Sequence, residues 1–282
     1  MDRRTFVGSL GAVGAAAMLP SDAALFRREK LNRIGVQLYT VRDRLKVSVE
    51  KTLAEVADIG FKEVEFYGIP EGYFNRPPRA IRQLLDRNGL TSPSAHLGMR
   101  ELRGSWNRTL NDAAEIGQKW LVIASLDDAD RNSIAAIKRT ADIIRKAAED
   151  AKLYKIKLAY HNHETEFREV EGRRVFDVLL EETSPETLQV EMDIYWITKG
   201  GGDPLAYFAK WPGRFPMLHV KDAGPPPAYE MRDVGKGTIN WAEIFAKHKE
   251  AGVKHYYVEH DDPPNPLASI KASFEYLSNL RF

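Results

Sequence analysis

The chain has 282 residues, 43% hydrophobic and 29% charged, a composition that excludes disordered and fibrous proteins and suffices for one large core or two small ones. Its 41 Lys and Arg residues against 40 Asp and Glu residues give a net charge of +1, so no general electrostatic attraction to nucleic acid or an anionic membrane is expected. The absence of cysteine excludes disulfides, thiolate catalysis, iron–sulfur clusters and cysteine zinc sites, so a metal must be held by His, Asp and Glu.

The N-terminus has the pattern of an export signal. Arg3 and Arg4 precede an apolar run rich in Ala and Gly over 6–19, and small residues follow at 22–24. The run is too short and too rich in glycine for a stable membrane span, and it lacks the polar face of an amphipathic helix. The arginine pair resembles the twin-arginine type of signal, which carries folded proteins. We therefore predict a signal peptide over 1–24, a periplasmic location and no membrane span in the mature chain.

Beyond the signal, eight short β-rich runs alternate with amphipathic helical patterns at a spacing of about 30 residues, which is typical of repeated βα units. The predicted strands are 33–38, 62–66, 91–96, 119–124, 156–161, 188–193, 215–220 and 255–259. Apolar residues from Ile134 to Ala148 recur at three- and four-residue spacing and predict a helix before the fifth strand. Glycines that suit helix ends stand ahead of several strands, at Gly60, Gly89, Gly117 and Gly252.

Eight βα units predict an α/β fold, a single-domain (β/α)8 TIM barrel over residues 30–282, because parallel strands need crossover connections and closure leaves no exposed sheet edge. A doubly wound open sheet is the competing architecture. It usually carries Gly-x-Gly-x-x-Gly after the first strand, where this chain has Gln37-Leu38-Tyr39-Thr40. The sequence therefore favours the barrel and disfavours nucleotide binding.

In such a barrel, the active site gathers at the C-terminal ends of the strands. The residues predicted there are Gln37, Glu65, His96, Ser125, His161, Asp193, His219 and Glu259. Polar residues at strand ends can simply begin solvated loops, which accounts for Gln37 or Ser125. It does not account for the His, Asp, His and Glu of the last four strands, a mixed set that suits Mn²⁺, Zn²⁺, Co²⁺ or Fe²⁺. We predict one divalent ion.

Several segments together resemble the xylose isomerase-like TIM barrel superfamily of sugar phosphate isomerases and epimerases, over essentially the whole chain after the signal. The matching segments are Ile34-Gly35-Val36-Gln37-Leu38-Tyr39, Gly60-Phe61-Lys62-Glu63-Val64-Glu65-Phe66, Tyr160-His161-Asn162-His163, Asp193-Ile194-Tyr195-Trp196, His219-Val220-Lys221-Asp222 and Gly235-Lys236-Gly237-Thr238-Ile239-Asn240-Trp241. The resemblance implies a one-metal site formed by His161, Asp193, His219 and Glu259.

The first ligand departs from the family pattern. Epimerases of the superfamily have there a Glu that is also one of two opposed acid/base groups, and this chain has His161. Strand alternation predicts that His161 and His163 point to the same side. We expect His161 to be the ligand, because Asn162 matches an Asn that often follows the family's Glu, and we keep His163 as reserve ligand and candidate base.

The expected chemistry is proton removal next to a sugar carbonyl that the metal binds, which gives an enediolate. Glu259 is the carboxylate predicted to be both ligand and base, and Lys221 is a candidate proton donor whose alternative role is a salt bridge with Asp222 or Glu259. Candidate substrate-binding residues are Tyr39, Glu65, His96, Glu166 and Trp196.

Two further segments bear on the substrate. The stretch 222–237 is rich in glycine and proline and is expected to fold over the pocket mouth as a lid or specificity loop. The stretch 259–264 is acidic and carries two prolines where a phosphate would need backbone donors, so a neutral sugar is favoured over a sugar phosphate.

The leading functional prediction is a metal-dependent isomerase or epimerase of a non-phosphorylated sugar or keto-polyol. The first alternative is a lyase or dehydratase that eliminates from a keto sugar or a 3-keto glycoside, and the second is a non-catalytic sugar-binding barrel. The superfamily also includes DNA-repair endonucleases, which the near-zero net charge disfavours. The expected partner is a small-molecule carbohydrate, with no nucleic acid, and a homo-oligomer is left open.

Overall fold

The structure is a computed structural model that describes residues 29–68 and 73–282, and the predicted signal peptide lies outside them. Eight parallel strands form one sheet: β1 Gly35–Gln37, β2 Glu63–Glu65, β3 Ser94–Leu97, β4 Trp120–Ile123, β5 Lys157–His161, β6 Gln189–Asp193, β7 Met217–Val220 and β8 His255–Val258. Each lies within or overlaps one predicted run, so the strand prediction is confirmed.

The sheet closes into a barrel. Its strands are paired in the order β2-β1-β8-β7-β6-β5-β4-β3, and isolated parallel bridges Glu63↔Thr91 and Phe66↔Ala95 join the two ends. This ring of neighbours is the predicted TIM barrel and excludes the doubly wound open sheet, in which the two edge strands do not meet.

Helices surround the barrel. The α-helices are Arg42–Val47, Val49–Ile59, Pro78–Arg87, Met99–Arg103, Trp106–Ile116, Asp128–Arg131, Ile134–Leu153, Val175–Glu181, Ile194–Lys199, Pro204–Lys210, Trp241–Ala246, His248–Ala251 and Pro266–Asn279, with 3-10 turns at Leu38–Val41 and Glu164–Phe167. No helix within the described residues is both long and apolar enough to cross a bilayer.

The helix predicted from the apolar spacing before the fifth strand is present as Ile134–Leu153. It buries Ile137, Ala141 and Ile144 against the barrel. Ser133 begins this helix by accepting a hydrogen bond from the amide of Ala136 at 3.1 Å, a standard N-cap. The four helix-end glycines all have positive φ, from +63° to +122°. Such backbone angles are strained for a residue with a Cβ.

The barrel interior changes character along its axis. A small apolar cluster, separate from the large core under the helices, contains Trp120, Val122, Ala159, Met217 and Tyr257. The last three precede His161, His219 and Glu259 by two positions. Because side chains two apart on a strand share a face, the polar residues lie one layer above this apolar floor, toward the C-terminal ends.

The stretch 222–237 is tied down by a single buried carboxylate. Asp222 accepts hydrogen bonds from the amides of Gly235 (2.8 Å) and Ile239 (3.2 Å) and from Trp241 Nε1 (3.0 Å). A Cβ on Gly237 would lie 2.1 Å from Asp222 Oδ1, so only glycine fits there. The side chain that follows Lys221 therefore joins the end of the loop after β7 to its beginning.

Replacing Asp222 by Ala should lower the free energy of unfolding by about 3 kcal/mol, because several donors lose their acceptor in a buried setting. Urea denaturation measures this change. Asp262→Ala is the matched control, since that side chain is 95% exposed and pairs with Arg42 at 3.4 Å, and it should cost less than about 0.5 kcal/mol. Equal losses in the two variants would show that Asp222 does not anchor the loop.

Candidate functional site

Four of the predicted side chains meet at the C-terminal end of the barrel. His161 and Asp193 are the last residues of β5 and β6, His219 lies in β7, and Glu259 follows β8 directly. The strand register pairs His219 with Asp193 and with Tyr257, which is two residues before Glu259. One nitrogen or oxygen of each side chain lies within 4.8 Å of the others, and all four residues are buried. We call these residues the ligand group.

The spacing within the ligand group is compatible with a metal ion, and one of its close pairs, His161 with Asp193, is also a hydrogen bond. His161 Nε2 is 3.2 Å from Asp193 Oδ2, and His219 Nδ1 is 2.8 Å from Glu259 Oε2. The latter two atoms are not aligned as a hydrogen bond, and neither has a hydrogen-bond partner in the described part of the chain. Tetrahedral zinc separates its ligand atoms by about 3.4 Å. The four residues therefore fit a divalent transition metal.

Lys221 supplies a positive charge to the same carboxylates. Its Nζ lies 3.1 Å from Asp193 Oδ2, 2.8 Å from Glu259 Oε2 and 2.8 Å from Asp261 Oδ1. Burial lowers the pKa of Lys221, but Asp193, Glu259 and Asp261 outweigh it and hold that pKa well above its usual value. The ammonium is thus charged and buried. Of the two salt-bridge partners predicted for it, Glu259 is one and Asp222 is not.

The protonation of the ligand group follows from this crowding. Burial, followed by the neighbouring His219, lowers the pKa of His161 well below its usual value, so this imidazole is neutral. Burial raises the pKa of Glu259, but Lys221 and His219 outweigh it and lower the pKa strongly. A neutral imidazole and an ionised carboxylate are the forms that bind metals.

His219 carries positive charge in the metal-free site. Burial lowers its pKa, but Glu191 and Glu259 outweigh burial and raise that pKa well above its usual value. A proton on His219 therefore partly replaces the charge that a metal would bring, and metal binding would release it.

His163 lies beside the ligand group rather than in it. Its ring centroid is 4.8 Å from that of His161 and 5.4 Å from that of Trp196. Its backbone amide donates to Glu166 Oε2 at 2.7 Å, which holds the turn after β5. Burial and the charge of Lys221 lower the pKa of His163, so the ring is an unprotonated base at neutral pH.

Two predicted substrate-binding residues, Glu65 and His96, lie deeper than the ligand group. Glu65 has no exposed surface, and its Oε2 is 2.7 Å from His219 Nε2 and accepts from Gln37 Nε2 at 2.7 Å. His96 Nε2 is 2.7 Å from Glu191 Oε2, and Glu65 and Glu191 raise the pKa of His96 to about 9 against the opposing effect of burial. Both side chains contact other residues of the barrel interior.

Of the other three residues proposed to contact substrate, one is internal. Glu166 is fully buried between Arg131 Nη1 (2.8 Å) and the hydroxyl of Tyr160 (2.9 Å). Trp196 packs near His163 and Lys221, and its buried Nε1 has no acceptor among the described residues. Tyr39 is 38% exposed under the guanidinium of Arg42. Trp196 and Tyr39 remain available to a ligand.

The sequence prediction did not include Glu191 or Asp261. Glu191 stands two positions before Asp193 on the same inward face of β6, so the Glu-x-Asp spacing in an otherwise apolar strand was the available signal. Asp261 lies in the acidic stretch 259–264, from which the sequence predicts only that phosphate binding is unfavourable. Its contact with Lys221 depends on how the chain turns after β8, which periodicity does not indicate.

The loop over 222–237 borders this site. The hydroxyl of Tyr195 donates to the backbone oxygen of Tyr229 at 2.8 Å, and Met231 contacts the amide of Asp261 through its sulfur at 3.1 Å. The loop therefore packs beside the site, in a conformation that Asp222 helps to anchor, and its predicted role as a lid or specificity loop stays a prediction.

Comparisons with known proteins agree with this architecture. The family model described as xylose isomerase-like TIM barrel matches residues 53–280. A sugar phosphate isomerase/epimerase from Parabacteroides distasonis has 25% identity and a TM-score of 0.79, covering 92% of this chain and 98% of its own. No curated protein matches the chain in sequence.

Two more distant structures share the fold. A probable 3-DHS dehydratase from Bacillus anthracis has 14% identity and a TM-score of 0.69, with 88% of this chain and 99% of its own covered. An L-ribulose 3-epimerase has 14% identity and a TM-score of 0.66, with coverage of 88% and 93%.

Replacing Lys221 by Met should lower the unfolding free energy of the metal-free protein by about 3 kcal/mol, because it leaves buried carboxylates without their counter-charge. Lys236→Met is the control: Lys236 is 63% exposed and pairs with Asp233 at 2.8 Å, so its loss should cost under about 1 kcal/mol. Chemical denaturation in the presence of a chelator measures both values. A Lys221 variant as stable as the control would contradict the assigned pairing.

Proposed function

Because the chain belongs to the xylose isomerase-like TIM barrel family, we propose that it is a divalent-metal-dependent isomerase or epimerase of a non-phosphorylated sugar or keto-polyol, acting through an enediolate of the substrate. The observation that carries this proposal is the convergence of His161, Asp193, His219 and Glu259, four buried side chains whose ligand atoms lie within 4.8 Å of one another. Mixed imidazole and carboxylate ligands suit Mn²⁺, Zn²⁺, Co²⁺ or Fe²⁺.

The ligand group would hold the ion, and a bound ion would stabilise the negative charge that develops on a substrate carbonyl oxygen during proton removal. The chain's own residues perform the proton transfer. His163 is the better base, because its ring is unprotonated at neutral pH and lies beside the ligand group rather than in it. Glu259, the base first predicted, has a strongly lowered pKa and is a correspondingly weak base.

The opposite role, proton donation, falls to Lys221. Its ammonium is charged and lies 5.7 Å from the centre of the Trp196 ring system, near His163. The unpartnered Trp196 Nε1 adds a hydrogen-bond donor for a substrate hydroxyl or carbonyl. These three side chains lie near one another beside the ligand group, and we place the bound sugar next to them.

The charge around this volume supports a neutral substrate. The described cation at the ligand group, Lys221, is already paired with Asp193, Glu259 and Asp261, and burial raises the pKa of Asp261. Arg42, the nearby guanidinium, donates to the backbone oxygens of Tyr39 and Asp261. A phosphate dianion would therefore enter an acidic environment in which Lys221 and Arg42 are already engaged.

Elimination from a keto sugar or 3-keto glycoside is the second candidate. The observation that favours it is that His161 replaces the carboxylate which would supply one of two opposed bases. Outside the ligand group, the described site then has one unprotonated base, His163, and one charged acid, Lys221. A base and an acid are what elimination of a leaving group requires, whereas epimerisation through two opposed carboxylates needs both of them.

The ligand assignment predicts different losses for the two histidines. His161→Ala should weaken Zn²⁺ or Mn²⁺ binding by about 100-fold or more, since one of four ligands is removed. His163→Ala should retain the metal and lose about 100-fold or more in kcat, since a general base is removed. Metal analysis and chelator competition with both variants measure the first effect. Metal loss in His163→Ala with retention in His161→Ala would reverse the assignment.

Turnover of free keto sugars should distinguish the reactions. Isomerisation or epimerisation changes the sugar's NMR spectrum without an enone absorbance, and elimination produces an enone in the ultraviolet. We expect the free sugar to be converted faster than its phosphate ester. Faster turnover of the ester would overturn the substrate class, and sugar binding without turnover in the metal-loaded protein would support a non-catalytic barrel.

A further inference from the structure

A second polar layer lies beneath the ligand group, inside the barrel. It consists of Glu65 from β2, His96 from β3 and Glu191 from β6, and it meets the ligand group at one residue, His219. Glu65, Glu191 and His219 have no exposed surface. We call Glu65, His96 and Glu191 the lower tier. None of its members was needed for the proton transfers proposed above.

The lower tier and His219 form a closed ring in which imidazoles and carboxylates alternate. His219 Nε2 lies 2.7 Å from Glu65 Oε2 and 3.1 Å from Glu191 Oε2. His96 Nε2 lies 2.7 Å from Glu191 Oε2 and 3.2 Å from Glu65 Oε2. The two imidazole rings are nearly parallel, with their centroids 5.1 Å apart. Each carboxylate therefore has one imidazole as its nearer partner, and the partner of Glu65 is His219.

The direction of the hydrogen bond in the Glu65–His219 pair follows from its surroundings. Glu65 Oε2 already accepts from Gln37 Nε2 at 2.7 Å, and Glu65 Oε1 accepts from Ser94 Oγ at 2.5 Å. A carboxylate surrounded by donors acts as an acceptor, so the proton between Glu65 and His219 belongs to Nε2 of the imidazole. This leaves Nδ1 as the nitrogen of His219 that faces Glu259.

We propose that Glu65 is a positioning residue that makes His219 a metal ligand through Nδ1 rather than Nε2. An imidazole can bind an ion through either nitrogen, and the hydrogen bond of the other nitrogen decides which one is free and how the ring is oriented. This inference rests on the proposed metal-dependent function. It assigns to Glu65 an indirect role in the site in place of the substrate contact first predicted from its position at a strand end.

The chain contains a matched control for Glu65. Glu63 lies two residues earlier on β2, with a side chain that is 4% exposed, and it pairs with His255 Nδ1 at 2.7 Å and Arg33 Nε at 3.0 Å. Glu63 and Glu65 are thus two buried carboxylates on the same strand, and each is paired with an imidazole. Glu63 contacts none of the ligand group. Its replacement should therefore affect stability as that of Glu65 does, without changing the orientation of His219.

The test compares Zn²⁺ affinity, by chelator competition, for wild type, Glu65→Gln and Glu63→Gln. Glu65→Gln should bind Zn²⁺ about 10-fold to 100-fold more weakly, the usual effect of losing a carboxylate that orients a metal-bound histidine. Glu63→Gln should bind within about 2-fold of wild type. The visible spectrum of the Co²⁺-loaded protein should change in Glu65→Gln and not in Glu63→Gln, because only the former alters the orientation of a ligand.

A second measurement needs no change at Glu65. In ¹⁵N-labelled wild type, with the His219 signals assigned by their loss in His219→Gln, proton–nitrogen correlation spectra should show Nε2 protonated and Nδ1 shifted when Zn²⁺ is added. One ion per chain is expected. Zn²⁺ on Nε2, or a second ion in the lower tier, would overturn the inference even if Glu65→Gln did not fold.

The two levels of the proposal fail in different ways. Wild type that binds none of Zn²⁺, Mn²⁺, Co²⁺ and Fe²⁺ would overturn the metal-dependent function and this inference with it. Wild type that binds Zn²⁺ tightly, with unchanged affinity in Glu65→Gln, would overturn the inference alone.

Discussion

The mutual neutralisation of buried charges at the C-terminal end of the barrel is the constraint on which the rest of the site depends. Barrel interiors of this fold are usually filled by branched apolar side chains. Here the interior holds Glu65, His96, Glu191, Asp193, His219 and Lys221, all at most 8% exposed. An isolated charge in such a place would be costly, so each of these groups needs an opposite partner within hydrogen-bonding distance. The arrangement is therefore collective, and removing one member exposes the others to the full cost of burial.

This collective pairing also explains why the site favours the binding of a cation. Lys221 and a proton on His219 balance carboxylates that would otherwise repel one another. A divalent ion offers the same carboxylates more charge and more favourable geometry, since His219 Nδ1 and Glu259 Oε2 are close but not hydrogen-bonded. The pairing therefore compensates the buried charges, and it leaves these two atoms placed for a cation.

The sequence was sufficient to predict the barrel, because strand-forming runs and helical spacing repeat along the chain and each repeat indicates the same architecture. It was also sufficient to predict that four side chains converge, because the C-terminal ends of parallel strands meet at one rim of the barrel. These side chains are His161, Asp193, His219 and Glu259. The depth of a side chain was not predictable in this way. Glu65 and Glu259 both stand at strand ends, each two residues after a neighbour of Gly35, yet Glu65 lies a layer below the rim. This difference in depth depends on the tilt of the strands against the barrel axis, which no local pattern indicates.

The adjacent residues Lys221 and Asp222 point in opposite directions and serve different parts of the molecule. The first faces the barrel axis, and the second fixes a connecting segment of some twenty residues through its backbone amides and one indole. The segment between these attachment points borders the site, where Tyr229 contacts Tyr195 and Met231 contacts Asp261. Substrate preference could diversify by exchanging that insert as a cassette, provided that the acidic residue at its entrance and the tryptophan at its exit are preserved.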